Sequence, residues 1–289
     1  MSPAVQVLVQ EIEEQNCRLE IPFCYNPNHD CEFKVLHYPA GVIRNFGELW
    51  PLSRAGGIFY IQFMKDIKQE LTAWKGRKVL MVIYPHPDDE TMGAGGLLLT
   101  AKKLGWQTVA VILTKGGAGQ MHVHPNGRTI KEMRMAELEK AASILQIDDL
   151  VVADYDDGKL RQHRSRWEKW LKQQIIKYHP AWIVTFDHSG ISGHPDHISL
   201  SLALRKVSAK LYWTTLPQDL NLGNKELFKL RSAPTHILKL RGIGLKKWQA
   251  MKAHRSQKLP GRVALYRFEW YHEVEPRKKY PHKFVEFKI

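Results

Sequence analysis

The stretch KVLMVIYPHPDDETMGAGG, residues 78–96, passes directly from an apolar run into a cluster of ionisable residues. Its first part, residues 78–84, is rich in β-branched side chains, which is typical of a strand buried on both faces of a parallel sheet. Three runs of the same kind follow at 107–113, 150–154 and 181–186. Helical patterns separate the four runs, at 95–104, 129–146 and 163–178. This alternation predicts an α/β fold with a right-handed, mainly parallel central sheet.

A change of pattern at Lys75 and Gly76 indicates a domain boundary. We expect residues 1–75, which hold a helical stretch near their end, to form an N-terminal extension packed on the core. Residues 76–289 then form the main domain. Strand-like segments with alternating side chains stand near its C-terminus, at 263–271 and 282–289.

The composition is that of a folded protein. Of 289 residues, 44% are hydrophobic and 25% charged, which excludes a disordered chain. No apolar run approaches the roughly 20 residues that span a bilayer, and the N-terminal stretch lacks the basic residues of a signal peptide, so we expect a cytoplasmic protein. The three cysteines, Cys17, Cys24 and Cys31, are an odd number. We interpret them as reduced thiols, with a metal site that includes His29 as the less favoured alternative.

Most of the positive charge lies near the C-terminus. The chain has a net charge of +14, and residues 221–289 carry 17 basic and five acidic residues. There is no zinc-finger spacing, aromatic RNA-binding motif or basic region leading into heptads, so we expect no specific nucleic-acid binding. We interpret the excess as a basic face, with Lys246 and Lys247 on it, that holds an anionic substrate group or an anionic membrane surface; a plain solvated face is the alternative.

Two groups of ionisable side chains follow predicted strands. They are His86, Asp88, Asp89 and Glu90 after the first strand, and His188, His194 and His197 after the fourth. Strand carboxyl ends lie at one edge of a parallel sheet, where ligands bind. So many ionisable residues beside a buried strand are costly without a partner, and a divalent cation is the simplest one. Histidine and aspartate suit a catalytic Zn²⁺ site, which keeps an open position.

The motifs PHPDDE at 85–90 and GHPDH at 193–197 resemble the two signature motifs of the PIG-L/LmbE-like family. The resemblance covers roughly residues 78–260. Shorter segments are similar as well: LTKGGAG at 113–119, the Arg134-x-x-Glu137 helix, Asp157-Gly158, and HRSQ at 254–257. The chain departs from the family at Lys115, where an acidic residue is frequent, and residues 1–75 have no match in it.

The resemblance implies a Rossmann-like three-layer sandwich and a zinc-dependent N-deacetylase that acts on an N-acetylated amino sugar or glycoconjugate. It implies that His86, Asp89 and His197 bind zinc, with Asp88 as the general base for a zinc-bound water. His194 would stabilise the tetrahedral oxyanion. Three further assignments follow: Arg134 and Asp157 contact the substrate, and Asp196 orients His194. For Arg134 the alternative is a surface ion pair with Glu137.

Other functions remain open at this point. A metal-dependent phosphoesterase also needs metals and carboxylates, and the basic C-terminal quarter suits a protein that binds nucleic acid or an anionic surface. The same His2Asp set also fits Fe²⁺ in the cell. The sequence does not indicate an oligomeric state.

Overall fold

The computed structural model describes residues 64–275 except 125–126, 218–229, 258 and 260–266, together with the backbone of four short strands nearer the N-terminus. The chain divides into two compact units, residues 1–63 and 64–289. In the first unit two antiparallel pairs are described: β1 (Leu19–Phe23) with β2 (Glu32–Leu36), and β3 (Ser53–Arg54) with β4 (Gly57–Ile58). The three cysteines and the predicted strand at 282–289 lie outside the described residues.

The second unit alternates strands and helices along the chain. Its strands are β5 (Lys65–Asp66), β6 (Val79–Tyr84), β7 (Gln107–Thr114), β8 (Asp149–Tyr155), β9 (Trp182–Phe186), β10 (Lys210–Thr215), β11 (His236–Lys239) and β12 (Phe268–Glu273). Its helices are α1 (Ile67–Ala73), α2 (Asp89–Lys103), α3 (Ile130–Leu145), α4 (Arg164–Tyr178), α5 (Gly190–Gly193), α6 (Pro195–Leu204) and α7 (Gly244–Ala253). Among the described residues, no helix is long and apolar enough to cross a membrane.

The eight strands form one sheet in the order β5-β11-β12-β10-β9-β6-β7-β8. All neighbouring pairs are parallel except the two that include β12. The chain runs from β6 outward through β7 to β8 and then returns to place β9 on the other side of β6. The crossover direction therefore reverses between β6 and β9, and such a switch point opens a crevice at the carboxyl ends of the two strands.

Side chains of β6 alternate between two apolar layers. Leu80 and Val82 pack with α2 and α3 on one face, while Met81 and Ile83 pack with α4 and α6 on the other. All six residues of β6 are buried. The α/β fold with helices on both faces of a mainly parallel sheet is therefore confirmed.

Local residues mark the start of α3 and the end of α2. Thr129 and Glu132 form the capping box expected at the start of α3, and Gly105, with a φ of 75°, follows the end of α2. Helix α2 begins at Asp89, six residues before the predicted start, because the helix grows directly out of the PHPDDE motif. Apart from Met92 and Ala94, its first two turns hold polar residues and glycines, so no apolar periodicity marks them in the sequence.

The segment before the predicted boundary joins the main unit. Strand β5 pairs parallel with β11, and Ile67 and Leu71 of α1 are fully buried in the core. The domain boundary at residue 75 stays a prediction. Glu70 of α1 accepts hydrogen bonds from Lys210 at 2.7 Å and Tyr212 at 2.5 Å, and it lies 2.8 Å from His236 Nε2. This polar cluster ties α1 to the amino ends of β10 and β11, opposite the strand ends that carry the PHPDDE and GHPDH motifs.

Lys247 is not on an exposed face, and the interpretation that placed it there is wrong. Its side chain is 1% exposed, and its Nζ donates to Glu269 at 2.7 Å and to the carbonyl oxygen of Met92. Glu269 also accepts from the backbone amides of Gly96 and Leu97 inside α2. A Cβ on Gly96 would lie 3.0 Å from this carboxylate, so the glycine permits the approach. The pair forms because position 247 falls on the buried side of α7 with Ala250 and Met251.

We expect Lys247→Ala to lower the free energy of unfolding by about 3–5 kcal/mol, because it leaves the buried Glu269 carboxylate without its cation. Lys246→Ala is the matched control, since the neighbouring side chain is exposed and its loss should change the free energy by less than about 0.5 kcal/mol. Urea denaturation of both variants measures the difference. Equal midpoints for the two variants would contradict a stabilising buried pair.

Glu70 should make stability depend on pH in the acid range. Partial burial acts in the opposite direction, but hydrogen bonds from Lys210, Tyr212 and His236 lower the pKa of Glu70 from 4.5 to about 2. Its contribution is complete above pH 4.5 and is lost as the pH falls towards 2. Glu70→Gln should therefore flatten the fall in unfolding free energy over this window, measured by denaturation at several pH values. Glu139→Gln, at an exposed position of α3, should leave the slope unchanged.

Candidate active site

The loops after β6 and β9 bring three polar atoms together in a small triangle. His86 Nδ1 lies 3.2 Å from His197 Nε2, and both nitrogens lie 3.3 Å from Asp89 Oδ2. His86 follows β6, Asp89 begins α2, and His197 lies in the first turn of α6. The three residues are buried, each with 7–8% of its surface exposed. The two motifs therefore converge at the switch point of the sheet, as predicted.

Two carboxylates hold the other side of the His86 ring. Its Nε2 lies 2.9 Å from Asp157 Oδ1 and 3.3 Å from Asp196 Oδ2. Each carboxylate is itself fixed by backbone amides: Ala118 donates to Asp157, and Gly158 and Leu160 donate to Asp196. The neutral form of His86, with its proton on Nε2 facing these acceptors, directs the free electron pair of Nδ1 into the triangle.

Asp88 has an unusual backbone conformation. Its φ is 103°, a value that costs a residue with a side chain free energy and that persists only where the surroundings hold it. The backbone N–H of Asp88 donates to Glu90 at 3.0 Å, and Arg134 lies with Nη2 3.2 Å from the Asp88 carboxylate. Arg134 also donates to the carbonyl oxygens of Pro87 and Gly116. These contacts hold the backbone and the carboxylate of Asp88 in place.

The pKa values of the two neighbouring aspartates are shifted in opposite directions. Burial, and then the charge of Asp89, raise the pKa of Asp88 to about 7, against the opposing charges of Arg134 and His254. Burial also opposes ionisation of Asp89, but His197 and His86 hold the pKa of that carboxyl well below its usual range. Asp89 is thus a permanent anion, while Asp88 can take up a proton near neutral pH.

His194 lies beside the triangle. Its ring centre is 4.7 Å from that of His86 and 5.0 Å from that of His197. Its Nδ1 accepts from the backbone N–H of Asp196, which caps α6. Burial, then the charges of His86 and His197, lower the pKa of His194 to about 4. At neutral pH the ring is therefore uncharged, with its one proton on Nε2 available to donate.

A further group of buried polar residues contacts the PHPDDE motif and α3. Glu90 is fully buried and accepts from Thr91 Oγ1 at 2.5 Å, and its Oε1 lies 3.2 Å from His254 Nε2. Glu137 accepts from the backbone N–H and the hydroxyl of Ser256. The HRSQ segment after α7 therefore lies against both the PHPDDE motif and α3.

Three further predicted site residues contact other groups of the site, and the substrate role predicted for Arg134 and Asp157 stays a prediction. Asp196 faces His86 and not His194, because its carboxylate is fixed by the amides of Gly158 and Leu160. Asp157 also faces His86. Arg134 is 4% exposed and pairs with Asp88, while Glu137 binds Ser256, so the surface pair of Arg134 with Glu137 does not form.

The remaining polar residues of the motifs lie elsewhere. His122 and His124 are exposed, as expected for a surface loop. His188 is buried against Trp213 and is 3.2 Å from Ser232 Oγ. Lys115 pairs with Asp154 at 3.1 Å. Sequence reasoning missed the Glu90–His254 contact. The only hint was that both residues stand in segments that resemble one family.

Proteins of known sequence and structure resemble this chain. A probable N-acetyl-α-D-glucosaminyl L-malate deacetylase of Bacillus anthracis is 26% identical over 188 residues, which are 63% of this chain and 83% of that protein. An N,N'-diacetylchitobiose deacetylase from Pyrococcus horikoshii superposes with a TM-score of 0.50 at 18% identity, covering 68% of this chain and 83% of the other. A 4-carboxy-2-hydroxymuconate hydratase from Pseudomonas putida superposes with a TM-score of 0.52 at 16% identity, covering 70% and 98%.

The two superpositions show a shared fold, and because one neighbour is a hydratase the fold alone does not define the reaction. The family evidence comes from sequence. Residues 81–208 match the model of the PIG-L family, described as GlcNAc-PI de-N-acetylase. This match includes both histidine–aspartate motifs, so the predicted resemblance to the PIG-L family is confirmed for residues 81–208.

Proposed function

We propose that the protein is a metal-dependent N-deacetylase that removes an acetyl group from an amino sugar or one of its conjugates. The observation that carries the proposal is the triangle of His86 Nδ1, Asp89 Oδ2 and His197 Nε2, with edges of 3.2–3.3 Å. The family description and the name of the Bacillus anthracis relative both refer to removal of acetyl groups from glucosaminyl compounds.

The triangle fits a small divalent cation. Ligands bound tetrahedrally at about 2.0–2.1 Å lie about 3.3–3.4 Å from one another, which matches the observed edges. Two imidazoles and one carboxylate are a usual set for Zn²⁺ with an open fourth position, and Fe²⁺ fits the same donors.

A competing group of ligands is less suitable. His86, Asp157 and Asp196 also lie close enough to surround an ion. Their carboxylates, however, already accept from three backbone amides, and they face the opposite nitrogen of the same imidazole. This arrangement suits carboxylates that orient a metal-binding histidine.

When bound, the ion would lower the pKa of a water molecule and polarise the amide carbonyl of the substrate. Asp88 stands next to the ligand Asp89 and, with a pKa near 7, takes the proton of the attacking water. The same carboxyl then gives this proton to the amine, which can leave only after it is protonated. Arg134 and the backbone of Asp88 keep the carboxylate in position for both transfers.

His194 acts as a neutral hydrogen-bond donor in this scheme. With a pKa of about 4, the His194 ring is uncharged at neutral pH and keeps its Nε2–H. A donor fixed by the helix cap requires no reorganisation when charge develops on the carbonyl oxygen. His194 therefore stabilises the tetrahedral oxyanion without carrying a charge of its own.

The phosphoesterase alternative has less support. Two-metal phosphoryl chemistry needs a pair of ions about 3.5–4 Å apart. In the described part of the site, the backbone contacts of the second set of carboxylates support a role in orienting His86. One ion and an adjacent proton acceptor are the elements that amide hydrolysis requires.

Asp88→Asn should abolish acetate release while the protein keeps its metal. We expect kcat to fall roughly 10²–10⁴-fold, because the proton acceptor is lost and none of the three ligands is changed. Acetate release from N-acetylglucosaminyl malate and diacetylchitobiose, together with metal content, measures this. Asp89→Ala is the matched comparison and should lose the metal. Full activity of Asp88→Asn would refute the role of the base, and no release by the wild type would refute the deacetylase itself.

Asp157→Ala should weaken zinc binding by roughly 10–100-fold, because the carboxylate that orients His86 is removed. The neighbouring Asp156 is exposed, so Asp156→Ala is a matched control with no expected effect. Competition with a zinc chelator of known affinity gives both values. Equal affinities for the two variants would mean that Asp157 does not support the metal, and a substrate role would then be favoured.

A further inference from the structure

Helix α7 exposes two large apolar side chains on one side. Leu245 is 68% exposed and Trp248 is 41% exposed, and they stand one turn apart. Among the described residues the third exposed large hydrophobic side chain is Ile176, on α4. Single exposed apolar residues are ordinary, but a tryptophan and a leucine on adjacent turns form a patch that no part of the active site uses.

The ionisable side chains in the sequence around this patch are of one sign. Residues 227–268 contain eleven Lys and Arg and no Asp or Glu. Four of these cations are exposed on α7 or directly beside it: Arg241, Lys246, Lys252 and Arg255. Lys252 Nζ lies 5.8 Å from the centre of the Trp248 ring, so cation and aromatic side chain share one surface. Lys247 does not contribute, because its charge is neutralised inside by Glu269.

We infer that the exposed side of α7, defined by Leu245, Trp248 and the four cations, binds the surface of an anionic membrane. Tryptophan and leucine bury their apolar parts at the boundary between headgroups and acyl chains, and lysine and arginine bind anionic headgroups. Lys246 and Lys252 favour the membrane over a protein partner, because lysine is depleted in protein–protein interfaces, although arginine and tryptophan are enriched there.

The position of α7 connects this surface with the active site. The helix ends at Ala253, and the next residue, His254, lies 3.2 Å from Glu90 of the catalytic motif. Exposed Arg255 follows between His254 and Ser256, which contacts Glu137. A membrane bound by α7 would therefore lie beside the rim of the site. Docking itself does not require the deacetylase reaction, so the two proposals fail separately.

Sedimentation with vesicles tests the inference. The full chain should bind vesicles that contain phosphatidylserine and phosphatidylcholine more strongly than vesicles of phosphatidylcholine alone. The double variants Leu245→Ser/Trp248→Ser and Lys246→Glu/Lys252→Glu should each reduce the partition coefficient by roughly tenfold or more. Both alter exposed side chains, so thermal unfolding should remain close to that of the wild type.

Helix α4 supplies matched controls, because it also exposes an apolar residue and several lysines. Ile176→Ser and Lys169→Glu/Lys172→Glu change side chains that are exposed to a similar extent, and they should bind vesicles as the wild type does. An equal loss in the α4 and α7 charge variants would show a general effect of positive charge and overturn the inference. Absence of vesicle binding, or binding to duplex DNA alone that α7 variants abolish, would overturn it as well.

Discussion

The adjacency of β6 and β9 in the sheet is the constraint on which the site depends. Because the chain leaves β6 in one direction and returns on its other side, the loops after the two strands meet over one crevice. The distance of 3.2 Å between His86 and His197, which are 111 positions apart in sequence, follows from this pairing. Any change that shifted the register of these strands would separate the three atoms of the triangle.

Burial of so many ionisable groups is stable only because each has a defined partner. Asp89 faces two imidazoles, His86 faces two more carboxylates, and Asp88 faces the guanidinium of Arg134. Charges left alone at this depth would cost several kcal/mol each. Negatively and positively charged groups alternate around the triangle, and backbone amides donate to the carboxylates of Asp157 and Asp196.

Part of this arrangement was visible in the sequence. Apolar runs predicted β6 to β9 within one residue or so, and the motifs after β6 and β9 predicted the convergence of His86, Asp89 and His197. The partners of Arg134 and Asp157 were not predictable, because helical spacing identifies neighbours on one helix and not contacts between elements. The charge of Lys247 led to the wrong prediction of an exposed position. Its spacing from Ala250 and Met251 already put it on the buried side of α7.

The strained backbone of Asp88 explains how two adjacent aspartates acquire different tasks. The φ of 103° gives Asp88 a non-helical backbone, and Arg134 and Glu90 hold the residue there through its carboxylate and its N–H. Asp89 then stays ionised against His86 and His197, while Asp88, buried beside a fixed negative charge, keeps a pKa near neutrality. The strained backbone of Asp88 thus allows two consecutive aspartates to differ. Asp89 is a permanent anion, and Asp88 is a proton acceptor.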